Sequence, residues 1–138
     1  MLINYTENEL DLLARLMRAE ALGEGDLGML MVGNVVINRA LANCSIFGNA
    51  HSISEVIYQK NQFSGTKSGL FFGSATTTEK QLAKRVLNGE TFYPATKALW
   101  FYAKKGDCQS TWYNQPLAGA YKNHCFYNSK DNKCFKTI

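Results

Sequence analysis

Ala14-Arg-Leu-Met-Arg-Ala-Glu20-Ala-Leu-Gly-Glu24-Gly25 is the stretch from which the rest of the chain is best read. At about 100° per residue, Leu10, Leu13, Ala14, Met17 and Ala21 fall on one helical stripe. Glu20 lies at the edge of that stripe, and Gly23 and Gly25 stop the helix within a turn of it. A carboxyl partly withdrawn from water holds its proton to higher pH, because burial penalises the charged form. That is what a general acid working near neutrality requires. The other reading of Glu20 is a solvated helix-end carboxylate paired with Arg15 or Arg18.

Outward from this helix, capping boxes mark the other helix starts. Thr6 and Glu9 open the first helix near Glu7, to end about Leu22. Asp26 caps a second, Leu27 to about Ala42, with Leu27, Leu30, Met31, Ile37 and Leu41 as its apolar stripe. Asn34 and Asn38 fall inside that stripe, so they either tie down neighbouring backbone or line a polar cleft beside Glu20. Gly33 lies off the stripe and leaves room for a close neighbour. Ser52 with Glu55 opens a short helix to about Gln59, and Thr76 with Glu79 opens one from Thr77 to Asn88.

Between them, Lys60 to Ser74 is a loop anchored by Phe63, Phe71 and Phe72, long enough to suggest a functional role. After Pro94 the chain turns strand-like, at Ala98–Ala103, Thr111–Tyr113 and Asn123–Tyr127. Helices followed by a small antiparallel sheet make an α+β chain, read as one domain over residues 1–138. The tail from Asn128 frays unless Cys134 is pinned.

The 138 residues carry a net charge of +4, which favours an acidic polymer as partner. Lysines and arginines are scattered rather than striped, which argues against nucleic acid. No apolar run is long enough to span a membrane. Met1 to Leu10 has no apolar signal-peptide core, so synthesis in a cytoplasm is expected, with Cys44, Cys108, Cys125 and Cys134 starting as free thiols. Sequence does not select their pairing if they oxidise.

The two histidines, His51 and His124, are far apart and lie in no zinc-binding motif, so no metal or cofactor is expected. A Cys125–His124 nucleophile is disfavoured because adjacent strand residues face opposite ways. Carboxylate chemistry on Glu20 remains, beside rings and amides of the kind that hold sugars: Trp100, Tyr102, Trp112, Tyr113, Asn114, Gln115 and Tyr121. Trp100 is expected in the core, with Tyr102 and Tyr113 the better cleft candidates. Glycoside cleavage usually takes two carboxylates. Glu24, Asp26 and Asp107 are the candidates for a second; if none faces Glu20, a single carboxylate serves as acid and then base, and the substrate's own group supplies the nucleophile.

The block around Glu20 resembles the catalytic segment of the CwlJ/SleB family of spore cortex-lytic cell-wall hydrolases. So do Val32-Gly-Asn-Val-Val-Ile-Asn38-Arg39, Val56-Ile-Tyr-Gln59 with Gln62-Phe-Ser64, and Trp112-Tyr-Asn-Gln-Pro116 with Lys122-Asn-His124-Cys-Phe-Tyr127. The likeness runs from about Leu10 to Tyr127, and Asn43-Cys44-Ser45 with Gly106-Asp-Cys108 place it nearer the CwlJ branch. It implies a lysozyme-like, lytic-transglycosylase-like fold and action on spore cortex peptidoglycan containing muramic-δ-lactam during germination. It also implies Glu20 as catalytic acid, and a protein made in the mother cell and placed at the coat–cortex boundary beside a coat-protein partner. Asn38, Gln62, Phe63, Ser64, Tyr102, Tyr113, Gln115 and His124 are the candidate substrate contacts. An amidase and a non-catalytic coat or peptidoglycan-binding protein are the alternatives.

Overall fold

Three local hydrogen-bond exchanges start three of the four α-helices among the described residues. Thr6, Ser52 and Thr76 each accept from the backbone N–H three residues on, while Glu9, Glu55 and Glu79 reach back to the cap backbone. They open α1 (Glu7–Ala21), α3 (Ile53–Ile57) and α4 (Thr77–Leu87). The computed structural model describes residues 3–43, 50–59, 62–104, 106–131 and 134. Glu9 does double duty, its other carboxylate oxygen accepting from the Ser54 backbone and hydroxyl and so tying α3 to α1.

α1 buries the stripe read from sequence: Leu10, Leu13, Ala14, Met17 and Ala21 are all in the core. The second helix, α2 (Gly25–Leu41), departs from expectation. It is buried on every side from Gly28 to Ala40 apart from its ends, and Leu27 and Leu41, assigned to the apolar stripe, are exposed. A helix apolar all round is a central one; α1, α3 and α4 pack around it. The absence of a side chain at Gly33 permits this, since a Cβ there would sit 2.9 Å from Val86 Cγ2 and 3.1 Å from Met17 Sδ. Its start differs too: Glu24 rather than Asp26 occupies the cap position, without a side-chain cap bond.

Both asparagines of α2 tie down backbone. Asn34 donates to the Glu90 carbonyl and accepts from the Phe92 N–H. Asn38 spreads its amide over the carbonyls of Ala95, Thr96 and Ala98. The segment that leads from α4 into the sheet is thereby fixed to the central helix. Asn38 is thus committed to this internal network rather than to the cleft.

The sheet has the order β1-β4-β3-β2, with β1 (Trp100–Ala103), β2 (Thr111–Trp112), β3 (Gln115–Tyr121) and β4 (His124–Tyr127), antiparallel throughout. β3 was not anticipated. Its sequence, Gln-Pro-Leu-Ala-Gly-Ala-Tyr, lacks alternation and contains residues that strands avoid. Its place comes from its neighbours: Tyr113 and Asn114 both take positive φ (49° and 64°) in the two-residue turn from β2, and a bulge lies between Leu117 and Gly119.

The loop before α4 is held by α1. Arg18 donates to the carbonyls of Leu70, Phe72, Gly73 and Ser74 and pairs with Glu79. Arg15 donates to the Phe71 carbonyl and lies 4.6 Å from the Phe71 ring centroid. Phe63 and Phe71 are buried, but Phe72 is 64% exposed and meets only the Phe71 ring, edge to face, among the described ring contacts.

Cys108 and Cys125 form a disulfide, and Cys134 is also disulfide-bonded, so the described thiols are oxidised rather than free. The strand register explains the first: Cys125 on β4 pairs opposite Tyr102, beside the return of the β1–β2 connection. Cys44 lies outside the described residues. Cys134 is buried against Ala42 and Leu99, and its carbonyl accepts from the Asn43 N–H, so the described end of the tail is held. Among the described residues no helix is long and apolar enough to cross a membrane.

Candidate active site

Glu20 occupies the last turn of α1, where the helix faces the sheet across the loop of residues 62–74. A 3-10 turn, Ser64–Lys67, comes down directly onto it. Ser64 Oγ donates to Glu20 Oε1 at 3.3 Å, and the Gly65 N–H donates to the same carboxylate. The turn approaches closely because position 65 has no side chain: a Cβ there would lie 2.6 Å from Oε1. Burial raises the Glu20 pKa above the ordinary carboxylate value, and the two hydrogen bonds pull it back only in part. Neither Arg15 nor Arg18 neutralises it, because both are spent on the loop carbonyls.

Glu20 lines a cavity of about 390 Å³ together with Gln62, Ser64, Tyr102 and His124. Four of the candidate contacts therefore meet at the candidate acid. Among the described residues lining it, Glu20 is the one carboxylate. Asp107 is exposed in the turn after β1. Glu24 is buried and engaged elsewhere: its Oε2 accepts from the Asn123 N–H, its Oε1 meets His124 Nδ1, and its carbonyl accepts from Lys122 Nζ.

Two further recesses adjoin this cavity. One, of about 500 Å³, shares Gln62 and Phe101 with it and holds Trp100, Trp112, Tyr113 and Gln115. Tyr113 stands at its rim, 82% exposed, while Gln115 is tied by the Lys130 N–H on its Oε1. Trp100 is only half-buried and faces this recess, where the sequence pointed to the core. The other recess, about 520 Å³, shares Ser64 and contributes Tyr58, Lys67 and Phe63. Phe63 is buried, stacked beneath the Arg39 guanidinium at 4.6 Å, so it supports the floor.

Tyr102 presents its ring, since its hydroxyl is bonded to the Tyr127 hydroxyl and accepts from the Gln109 N–H. Arg39 was not singled out from sequence. Buried, with its pKa lowered to about 9 by desolvation, it donates to the Leu99 carbonyl and to Gln62 Oε1 and so fixes the glutamine that joins two recesses. Gly65 was missed as well; its signal was its place immediately after Gln62-Phe-Ser64. Among the described residues no cluster of three His, Cys, Asp or Glu side chains is placed to hold a metal ion.

Residues 23–127 match the Cell Wall Hydrolase family profile. The chain belongs to the cell wall hydrolase family. It is 46% identical over 132 residues to the cell wall hydrolase CwlJ of Bacillus subtilis (strain 168), covering 96% of this chain and 93% of that one. It is 49% identical over 126 residues to CwlJ of Oceanobacillus iheyensis, covering 91% and 89%. A spore cortex-lytic enzyme of Bacillus cereus is 28% identical over 98 residues, covering 71% of this chain and 36% of that one. In three dimensions the chain superposes on the catalytic domain of Bacillus cereus SleB with a TM-score of 0.73 at 24% identity, covering 91% of this chain and 93% of that one. The catalytic domain of the germination-specific lytic transglycosylase SleB of Bacillus anthracis gives 0.72 at 23%, covering 91% and 98%. The fold of this cell wall hydrolase is accordingly the lysozyme-like α+β arrangement.

Proposed function

We propose that this enzyme cuts the glycan strand of spore cortex peptidoglycan, with Glu20 as the proton donor. The observation that carries the reading is a carboxyl raised in pKa by burial, gripped by Ser64 and Gly65, in a groove with room for sugar rings on either side. Glu20 gives its proton to the bridging oxygen and the C1–O bond breaks. The carboxylate left behind faces the positive charge developing at C1. It then takes the proton from the attacking hydroxyl, either water or the sugar's own hydroxymethyl group, as that oxygen bonds to C1. One carboxylate suffices because it serves first as acid and then as base.

Rings at Tyr102 and Tyr113 meet sugar faces, and Gln62 and Ser64 meet their polar groups; Gln115, tied to Lys130, steadies the rim near Tyr113. The relatives described as spore cortex-lytic and as a germination-specific lytic transglycosylase support cortex as the substrate, and action on its muramic-δ-lactam is part of the proposal. Residence at the coat–cortex boundary, with a coat protein as partner, belongs to the same reading.

Mass spectrometry of digested cortex tests it. Wild type should release muropeptides with anhydro ends (transfer to the sugar's own hydroxyl) or reducing ends (hydrolysis). Glu20→Gln, folded normally, should release at least about 100-fold less. Free stem peptides from intact glycan would instead identify an amidase, and no release by wild type would identify a binding protein.

A further inference from the structure

Glu24 and His124 form a buried pair that the glycan reading leaves unexplained. Glu24 is 7% exposed and His124 is 7% exposed. The carboxylate comes from the 3-10 turn between α1 and α2, the imidazole from the first residue of β4, and a residue pair 100 positions apart is thus brought into contact at Oε1 and Nδ1. Glu24 cannot easily turn away, since its other oxygen accepts from the Asn123 N–H and its carbonyl from Lys122 Nζ. The start of α2 is shaped around it: a Cβ on Gly28 would sit 2.6 Å from the Glu24 Cβ. Nor does the ring swing freely, with the Phe101 ring edge-on at 5.4 Å.

A carboxylate oxygen against Nδ1 requires a proton on that nitrogen. In the neutral ring Nε2 then carries a lone pair. Burial lowers the His124 pKa, which favours that neutral form. His124 lines the Glu20 cavity whereas Glu24 does not, so the ring edge left to face the cleft is the one bearing Nε2.

We infer that Glu24 is a positioning residue, holding His124 in the Nδ1–H tautomer so that Nε2 accepts a hydrogen bond from a hydroxyl or acetamido N–H of the sugar lying against Glu20. The choice of ligand rests on the proposed glycan-cleaving function; the tautomer does not. A donor on the substrate is thereby required, and a sugar lacking it leaves a buried acceptor unpaired.

Side-chain nitrogen NMR of the full chain tests the two parts separately. The chain has two histidines, and His124→Gln assigns the signals by removing one set. Wild-type His124 should show a protonated Nδ1 and an unprotonated Nε2, and Glu24→Gln should shift the ring toward the Nε2–H form. An Nε2–H ring in the wild type overturns the inference. Binding of a cortex glycan fragment is then measured on Glu20→Gln, which does not turn over. The fragment should move the Nε2 resonance, and His124→Phe in that background should weaken binding roughly 5- to 10-fold, with His124→Gln partly restoring it. An unmoved Nε2 and equal binding by all three overturn the substrate contact, whatever the catalytic fate of Glu20→Gln.

Discussion

At Glu20, burial pushes the carboxyl toward its protonated form while Ser64 and Gly65 pull toward the charged one, and burial wins. With Glu20 in its proposed role, activity depends on the protonated acid and should fall as pH rises through a pKa above the ordinary value, a limb absent from Glu20→Gln. The same shift bears on folding. A carboxyl whose folded pKa is raised binds protons more tightly in the native state, so above that pKa it destabilises the fold. Glu20→Gln should accordingly raise Tm at neutral pH, and the gain should vanish as pH falls below the unfolded value near 4.5. A lower Tm for Glu20→Gln at neutral pH would contradict this. At Gly65 the backbone is ordinary and only space is lacking, so Gly65→Ala should displace the carboxylate and cut cortex release at least about tenfold. Thermal melts should show a loss of no more than about 2 kcal/mol. The partly buried placement of Glu20 was legible because a stripe edge followed by glycines is a local pattern; the close approach of Gly65 was not, because its constraint is a residue 45 positions earlier.

Among the elements, helix starts could be read directly, since capping boxes at Thr6, Ser52 and Thr76 are settled within four residues. α2 could not, because burial on all sides depends on what surrounds it, and its asparagines looked equally fit for a cleft. β3 was invisible for a related reason: Pro116 and Gly119 pair only because β4 supplies the template. The loop of residues 62–74 is the element most exposed to loss. Arg18 alone satisfies four of its carbonyls. Arg18→Ala should cost about 2–4 kcal/mol and abolish amide-exchange protection over residues 68–74, with α1 still protected. Because that loop carries Ser64 and Gly65 onto Glu20, cleavage should fall with it.

For the whole molecule, helices followed by a small antiparallel sheet and the lysozyme-like arrangement were anticipated, whereas β3 and the covalent ties were not. Cysteine spacing contains no register, and the neighbours that bring Cys108 to Cys125 are set by strand pairing. Replacing both by Ser opens a link spanning 17 residues and should lower stability by about 3 kcal/mol, read as an earlier urea midpoint. The link also adjoins Gln109, whose carbonyl accepts from the Tyr127 hydroxyl and whose N–H donates to Tyr102, so the cleft's aromatic wall should loosen with it.

The recesses flanking Glu20 have a consequence for how a sacculus is dismantled. On the proposed glycan-cleaving function, a strand laid across both needs no free terminus at the acid, so scission would begin in chain interiors. Suspensions should clear, and average oligomer length collapse, well before disaccharides accumulate.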